Sequence, residues 1–409
     1  MANRQSVYIT VAFCTGVLLT LGFKDFYPDL ERRFRKTRQP PPNPSTPSLA
    51  APDRDGIALE DATRDEDPAA GSLSIPDGIE GCIGNTPLFR IKSLSEETGC
   101  DILAKAEAEE SGILTPHAGD VIYEGTVGST GISLATLCRA RGYLAHICMP
   151  DDQAREKSDL LLKLGAEVER VRPAPIVDQN HFVNRACSLA EEHTADPSHT
   201  GRGYFANQFE NEANWQAHFQ GTGPEVFEQT RGRIDAFVAG AGTGGTISGV
   251  ARYLKPRLPA VKIVLADPQG SGLLNKVKYG VMFDPKEKEG TRRRHQVDSI
   301  VEGIGVNRIT ANFEAGRALV DDAVRVTDEQ AKAMARWLVE KDGIFAGSSS
   351  CVNCVAAVQV ARSMGPGHRI VTILCDSGTR HLSRFWAQVG NVGGKASMTL
   401  DDVLDAESH

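Results

Sequence analysis

No lysine stands between Lys105 and Lys157, which excludes a lysine nucleophile from residues 106–156. A surplus of positive charge is also missing. The formal net charge is −8, so composition gives no reason to expect nucleic acid as a partner. A disulfide framework is not indicated either. The nine cysteines are an odd number scattered through apolar segments, and they read as reduced residues of a cytosol-facing protein. Cys351 and Cys354 form a CxxC, but no second Cys/His pair lies nearby to complete a metal site. The pair reads as two small residues three apart on a helix, and no metal is assigned. Internal repeats are absent. What remains is an ordinary globular composition, 41% hydrophobic and 24% charged over 409 residues, with room for one large or two medium domains.

Residues 7–23, VYITVAFCTGVLLTLGF, carry no charge. The run is about the minimum for a membrane-spanning helix, which needs roughly 17–25 residues. Its charge comes afterwards, in Arg32, Arg33, Arg35, Lys36 and Arg38. A secretory signal would carry it before the run, and a matrix presequence would be an amphipathic, Arg-rich helix. A basic C-terminal flank holds the following chain on the cytosolic side. Residues 1–38 are therefore expected to form a transmembrane anchor. The mitochondrial outer membrane fits best, with the part that follows facing the cytosol, and the endoplasmic reticulum is the alternative. Residues 39–72, rich in proline, small and acidic residues, read as a disordered linker.

From Ile75 onward strands and helices alternate. YLAHICMP (143–150), AREKSDLLLKLG (154–165) and AEVERV (166–171) read as strand, helix and strand, a parallel βαβ unit. DAFVAGAGTGGTISGVARYLK (235–255) repeats the logic as strand, glycine loop and helix. KIVLADP (262–268) and RIVTILCDSG (369–378) are further buried strands, and KEKEGTRRR (286–294) is a charged surface insertion. The pattern predicts an α/β fold with parallel sheets flanked by helices. Such sheets bind ligands at the C-terminal ends of their strands.

Four loops carry the candidate chemistry. In GAGTGGT (240–246), consecutive glycines at a helix start let backbone N–H groups converge on a phosphate. Gly240, Gly242 and Gly245 also have GxGxxG spacing, with Asp267 near the place of a ribose-binding acid, so a dinucleotide site stays open at this point. In EGTVGSTGIS (124–133), small hydroxylated residues precede the expected helix ISLATLCRARG and suit a carboxylate, although an ordinary capped helix would look similar. GIFAGSSSC (343–351) reads as strand-like residues, serines, then a helix; a serine there can meet a ring nitrogen or simply cap the helix. NQFENEANWQAHFQGTGPE (207–225), with His218 and Glu225, reads as a loop rich in side-chain hydrogen bonds.

These motifs, in this order, resemble the cysteine synthase (O-acetylserine sulfhydrylase) family of pyridoxal-phosphate enzymes, near its fungal mitochondrial branch. Cystathionine β-synthase shares the core. The resemblance covers about residues 75–395 and includes GNTPL (84–88), TGPE (222–225) and VEGIG (301–305), the last over the active-site mouth in the family. It implies a two-domain fold, with residues 73–104 and 216–400 as a large cofactor domain and 105–215 as a small substrate-side domain. It implies pyridoxal 5'-phosphate as cofactor, a small amino-acid substrate, a homodimer, and a monophosphate rather than a dinucleotide at the glycine loop. Gly242, Thr243, Gly244, Gly245 and Thr246 match the phosphate cup. Ser349 matches the serine that meets the pyridine nitrogen, with Ser350 next in line. Thr126, Gly128, Thr130 and Gln208 match substrate-carboxylate groups. Val127 departs from the family's TSGNTG loop, as does Ser129, which stands where an asparagine usually lies beside the cofactor's phenolic oxygen. His381, in CDSGTRHLS (375–383), stands where the family tends to have tyrosine. A serine/threonine dehydratase shares the fold, but its loop would resemble SAGNHAQ.

The same resemblance identifies what is missing. Family members follow the strand ILAKAE with an Asn-rich turn, then Ser-x-Lys-Asp-Arg, whose lysine forms the Schiff base and acts as base, then a long helix. Here AKAE (104–107) runs directly into AEESGIL (108–114), so the small domain is truncated near 107–108 and no catalytic lysine is assigned. Lys105 matches a strand residue of the family. The function implied is β-replacement of O-acetylserine or serine with sulfide, impaired by the missing lysine. A membrane-tethered, non-catalytic binding protein is the alternative.

Overall fold

Two sheets carry the described part of the chain. The computed structural model describes residues 88–106, 119–153, 155–284, 299–392 and 398–406. The expected anchor at 7–23, the linker at 39–72, the Glu107–Ala108 junction and the charged insertion at 286–294 lie outside them. Among the described residues, no helix is long and apolar enough to cross a membrane.

The strands are β1 (Leu88–Arg90), β2 (Asp101–Ala106), β3 (Val121–Gly125), β4 (Leu144–Pro150), β5 (Glu167–Val171), β6 (Gly203–Phe205), β7 (Ala236–Gly240), β8 (Lys262–Pro268), β9 (Asp322–Val326) and β10 (Arg369–Leu374). A six-stranded sheet runs β1-β2-β10-β7-β8-β9 and a four-stranded sheet runs β5-β4-β3-β6. Among the described strands, the β1–β2 pair is antiparallel and the other strand pairings are parallel. This is the α/β architecture that the alternating pattern predicts.

Strands of a parallel sheet covered on both faces are apolar throughout. AFVAG in β7 and KIVLADP in β8 are such strands, and their register sets Ala236 against Lys262 and Gly240 against Ala266. On one side of the large sheet, Phe237, Ile263 and Leu265 pack with Ile247 and Leu254. On the other, Val238 and Val264 meet Val352, Val355 and Met334. The helix Ser348–Met364 is buried almost all round, which accounts for its lack of a polar stripe. Cys351 and Cys354 are two of its buried residues and are unpaired, as the spacing indicated.

Two local expectations are corrected. Residues 343–347 form no strand; only an isolated bridge joins Ala346 to Ser377, and the serines already belong to the helix. Residues 207–225 are mostly helical, with helices Ala213–Gln220 and Thr222–Gln229. Their polar side chains do not serve a solvated loop. Asn211 caps the first helix by accepting from the Ala213 N–H, while Asn214 reaches across to the Thr243 hydroxyl.

Phe237 is fully buried in β7, between β8 and β10. Phe237→Ala should lower unfolding free energy by about 3–5 kcal/mol, read from urea midpoints with the slope unchanged. A loss below about 1 kcal/mol would show that this layer of the core re-closes around the gap.

Candidate active site

Strand ends from both sheets converge on one cavity of about 930 Å³. Its wall includes the loop after β3, the loop after β7, the segment 299–308, Ser349, and the turn after β10. These are C-terminal strand ends, where ligands of open α/β sheets bind.

The loop after β3 begins with Thr126, whose N–H is held by the Cys148 carbonyl at 3.0 Å and whose hydroxyl accepts from the Gly128 N–H at 3.2 Å. The following helix starts at Ser129, earlier than the apolar spacing from Ile132 suggested. Ser129 and Thr130 therefore occupy its first turn, where backbone N–H groups have no intrahelical acceptor. Thr130 donates its hydroxyl to the Gln208 side-chain oxygen at 2.7 Å. Gln208 in turn donates to the Gly125 carbonyl at 3.0 Å and to Glu124 at 3.2 Å.

Glu124 is a site residue that sequence reading missed. It is fully buried and accepts from Gly125 and Gln208, fixing the amide that meets Thr130. Burial pushes its carboxyl up to about 7, against the N–H donors that favour the charged form. A carboxylate at the end of an apolar strand was the available signal.

The loop after β7 leads into the helix Gly245–Leu254. Thr243 accepts at its hydroxyl from Asn214 at 3.0 Å, and the Thr246 hydroxyl lies 3.0 Å from His218 Nε2. His218 Nδ1 meets Thr222 at 2.8 Å, so this buried histidine orients one cup hydroxyl. The glycines here meet a packing requirement beside the expected one of ligand approach. Gly244 has φ +86°, and a Cβ there would sit 2.5 Å from Phe313 Cβ. At Gly245 a Cβ would strike Asn214, and at Gly242 the Gly303 carbonyl. Packing within the protein demands all three.

Ser349 is almost fully buried and lines the cavity. Ser350 is not on the wall: its hydroxyl accepts from the Cys375 N–H at 2.9 Å. Ser348 accepts from the Glu302 N–H at 3.1 Å and so holds the segment 301–305 over the cavity.

A buried charge network closes one side. Lys157 donates to Glu302 at 2.6 Å and to the Val127 carbonyl at 3.4 Å. His381 lies 3.2 Å from Glu302 and 2.7 Å from Asp376. Burial alone would raise the Glu302 carboxyl, but His381 and Lys157 overcome it and hold the group down at about 2. Burial would lower His381, but Asp376 and Glu302 hold it up at about 9. Gly128, with φ +146°, packs against the Lys157 stem, where a Cβ would fall 2.8 Å from Cδ.

The family profile described as "Pyridoxal-phosphate dependent enzyme" matches residues 79–376. The chain belongs to this family. Among curated relatives, "Cysteine synthase 2" of Emericella nidulans is 63% identical, covering 100% of this chain and 99% of the relative. "Putative mitochondrial cysteine synthase" of Saccharomyces cerevisiae is 52% identical, over 80% of this chain and 88% of the relative. Among solved structures, O-ureido-L-serine synthase superposes with TM-score 0.64 at 26% identity, covering 78% of this chain and 98% of that one. The Emericella alignment is longer than the chain, 437 positions against 409 residues, so some positions have no counterpart here.

Membership of the pyridoxal-phosphate family makes the fit of that cofactor the next question. The phosphate fits: a helix N-terminus flanked by Thr243 and Thr246 lies at the end of β7; the Gly245 N–H is taken by the Thr243 hydroxyl at 3.3 Å, and the next first-turn N–H groups have no intrahelical acceptor. Ser349 presents one hydroxyl to the same cavity. Of the positions expected to bind cofactor or substrate, Thr126, Ser129, Thr130, Gln208, Gly242, Thr243, Gly244, Thr246 and Ser349 line the cavity; Gly128 and Gly245 lie beside it as backbone supports. Lys105 is a β2 residue whose backbone pairs with Leu88 and Ile373. Among the described residues, the lysine on the wall is Lys157, and it is engaged by Glu302.

The charge network should leave a pH signature. His381 titrates near 6.5 when unfolded and at about 9 when folded, so its contribution is full below about 6.5 and is lost as pH rises through about 9. The Glu302 contribution is present above 4.5 and lost as pH falls through about 2. The stability advantage of wild type over His381→Gln should therefore shrink between about pH 6.5 and 9, measured by thermal unfolding in matched buffers. An advantage independent of pH across that window would show that the imidazolium charge is not what holds the network.

Proposed function

We propose that this chain is built for cysteine synthesis: sulfide replaces the acetate of O-acetylserine, or the hydroxyl of serine, to give L-cysteine. The observation that carries the reading is the meeting of a phosphate-type helix start and a hydroxyl-lined carboxylate loop in one cavity, in a chain 63% identical to a cysteine synthase over its whole length. Bound pyridoxal phosphate supplies an electron sink for the bond changes at the substrate. In this reading Gly242, Thr243, Gly244, Gly245 and Thr246 hold the phosphate, Ser349 meets the ring nitrogen, and Ser129 reaches the phenolic oxygen. Thr126, Gly128, Thr130 and Gln208 bind the substrate carboxylate, with Gln208 pre-oriented by Glu124. The segment 301–305, held by Ser348 and Lys157, limits water access over the reacting atoms.

The same reading divides the core into a large cofactor part, 73–104 with 216–400, and a small substrate part, 105–215. Residues 7–23 anchor it to the mitochondrial outer membrane, supported by the apolar run, its basic flank and the mitochondrial name of the yeast relative. Two copies form the working unit.

We place the positions absent from the Emericella alignment at the Glu107–Ala108 junction, where the lysine-bearing segment would lie. Without that lysine, this reading assigns no side chain among the described residues to move the substrate Cα proton. Loss of a general base alone costs roughly 10²–10⁴ in rate. Purified protein mixed with pyridoxal phosphate and reduced with borohydride should show no lysine adduct by peptide mass mapping. Cysteine formation should fall short of the Emericella relative by at least about 10². An adduct on Lys105 or Lys157 together with full activity would overturn the impaired reading.

Phosphate binding should survive the missing segment. Equilibrium dialysis of pyridoxal phosphate should show salt-sensitive retention that Thr246→Val weakens by about 10–100-fold, the worth of one hydrogen bond to a charged group. Thr246 is the better probe than Gly244, where any side chain would strike Phe313. Equal affinity in both proteins would make the cup a structural turn.

A further inference from the structure

A second cluster of chemistry-bearing side chains lies away from the cavity, on the small sheet. Residues alternate faces along a strand, so His146 and Cys148 share one face of β4. Ala145, Ile147 and Met149 point the other way, into an apolar cluster. The parallel register then sets Glu167 beside His146 and Glu169 beside Cys148. His146, Cys148 and Glu169 each offer a ligand atom, all within 4.8 Å of one another. None of the three lines the large cavity.

Three features separate this group from a chance cluster. First, His146 Nδ1 lies 3.0 Å from the Glu167 carboxylate. Donation there leaves the Nε2 lone pair as the outward group, the carboxylate–histidine arrangement that supports metal-bound imidazoles. Second, His146 Nε2 is buried and has no hydrogen-bond partner; its nearest carboxylate, Glu169, is 3.8 Å away. Third, the ligands are held. Arg185 binds one Glu169 oxygen at 2.9 Å, leaving the other turned toward His146. The Tyr123 ring stacks on the imidazole at a centroid distance of 5.1 Å.

We propose that His146, Cys148 and Glu169 form a binding site for a thiophilic divalent cation of the Zn²⁺ class, with water as fourth ligand. Nitrogen, sulfur and oxygen donors together suit zinc, at about 2.0–2.3 Å each, which puts neighbouring donors roughly 3.3–3.8 Å apart. Closing the present spacing takes side-chain adjustment rather than a strand shift. The Cys148 proton leaves to solvent on binding, and thiolate plus carboxylate then balance the two positive charges. The ion reaches the site past Glu169, whose side chain is 33% exposed. Bound there, it would tie β4 to β5 at the end of the sheet that carries the Thr126 loop.

These donors come from two strands and have no zinc-type spacing, so no sequence pattern displays them. The test titrates the purified full-length protein with Zn²⁺ against a chromophoric chelator and records zinc X-ray absorption. One equivalent should bind, with a sulfur shell at about 2.3 Å and lighter atoms at about 2.0–2.2 Å. His146→Asn and Cys148→Ser should abolish that equivalent, Glu167→Gln should weaken it by about 10–100-fold, and Cys375→Ser should leave it intact. Glu169→Gln, at a half-exposed position, should also abolish it; circular dichroism checks that each variant is folded. A zinc spectrum without sulfur, no bound equivalent, or undiminished binding in folded His146→Asn and Glu169→Gln would overturn the proposal.

Discussion

The Lys157–Glu302 ion pair organises the mouth of the site. It joins the helix after β4 to the segment 301–305, and through Val127 it reaches the carboxylate loop. His381 and Asp376 extend it to the turn after β10. Two charges this well buried cost several kcal/mol each to desolvate, and only close geometry with further partners repays it. Glu302 has such partners in Lys157, His381 and Arg384. Removing one member of a buried pair typically costs about 3–5 kcal/mol, because the other is stranded. The network thus favours one placement of the loop over others, more than it adds to net stability.

That placement also fixes the surroundings of Lys157, the lysine on the cavity wall among the described residues. An amine that acts as nucleophile or base must meet the reacting atom within hydrogen-bond reach. The Lys157 amine is instead taken up by the Glu302 carboxylate at 2.6 Å and the Val127 carbonyl at 3.4 Å. Proximity to the cavity is therefore insufficient, and the chemistry of the nearest neighbour decides the role. The same logic assigns Glu124 and His218 as positioning residues. One orders the Gln208 amide and the other orders the Thr246 hydroxyl, and each is buried behind the residue it orients.

The glycines of the cup meet a packing requirement that the sequence does not display. Their crowding marked the turn after β7, where the cavity wall lies. The expected cause was space for a ligand, whereas Phe313, Asn214 and Gly303 occupy the directions a Cβ would take. Helix packing against the turn is a long-range contact that no local pattern displays.

The sequence by itself determined the alternation of elements, the parallel α/β class, the glycine loop after β7 and the family, because each depends on short-range periodicity or on motifs read in order. It also shows that no lysine stands between Lys105 and Lys157, which is a local fact. Tertiary structure decided the rest. It turned 207–225 from a polar loop into two helices whose side chains serve the cup, and dissolved the expected strand before Ser348. It separated Ser349, on the wall, from Ser350, which is bound to backbone. It brought Lys157, Glu302 and His381 together across long stretches of chain, and set His146 and Cys148 against Glu169 through a strand register. The physical reason is common to all of these: a buried polar side chain must find a partner, and that partner is chosen by the packing of distant elements rather than by its neighbours in sequence.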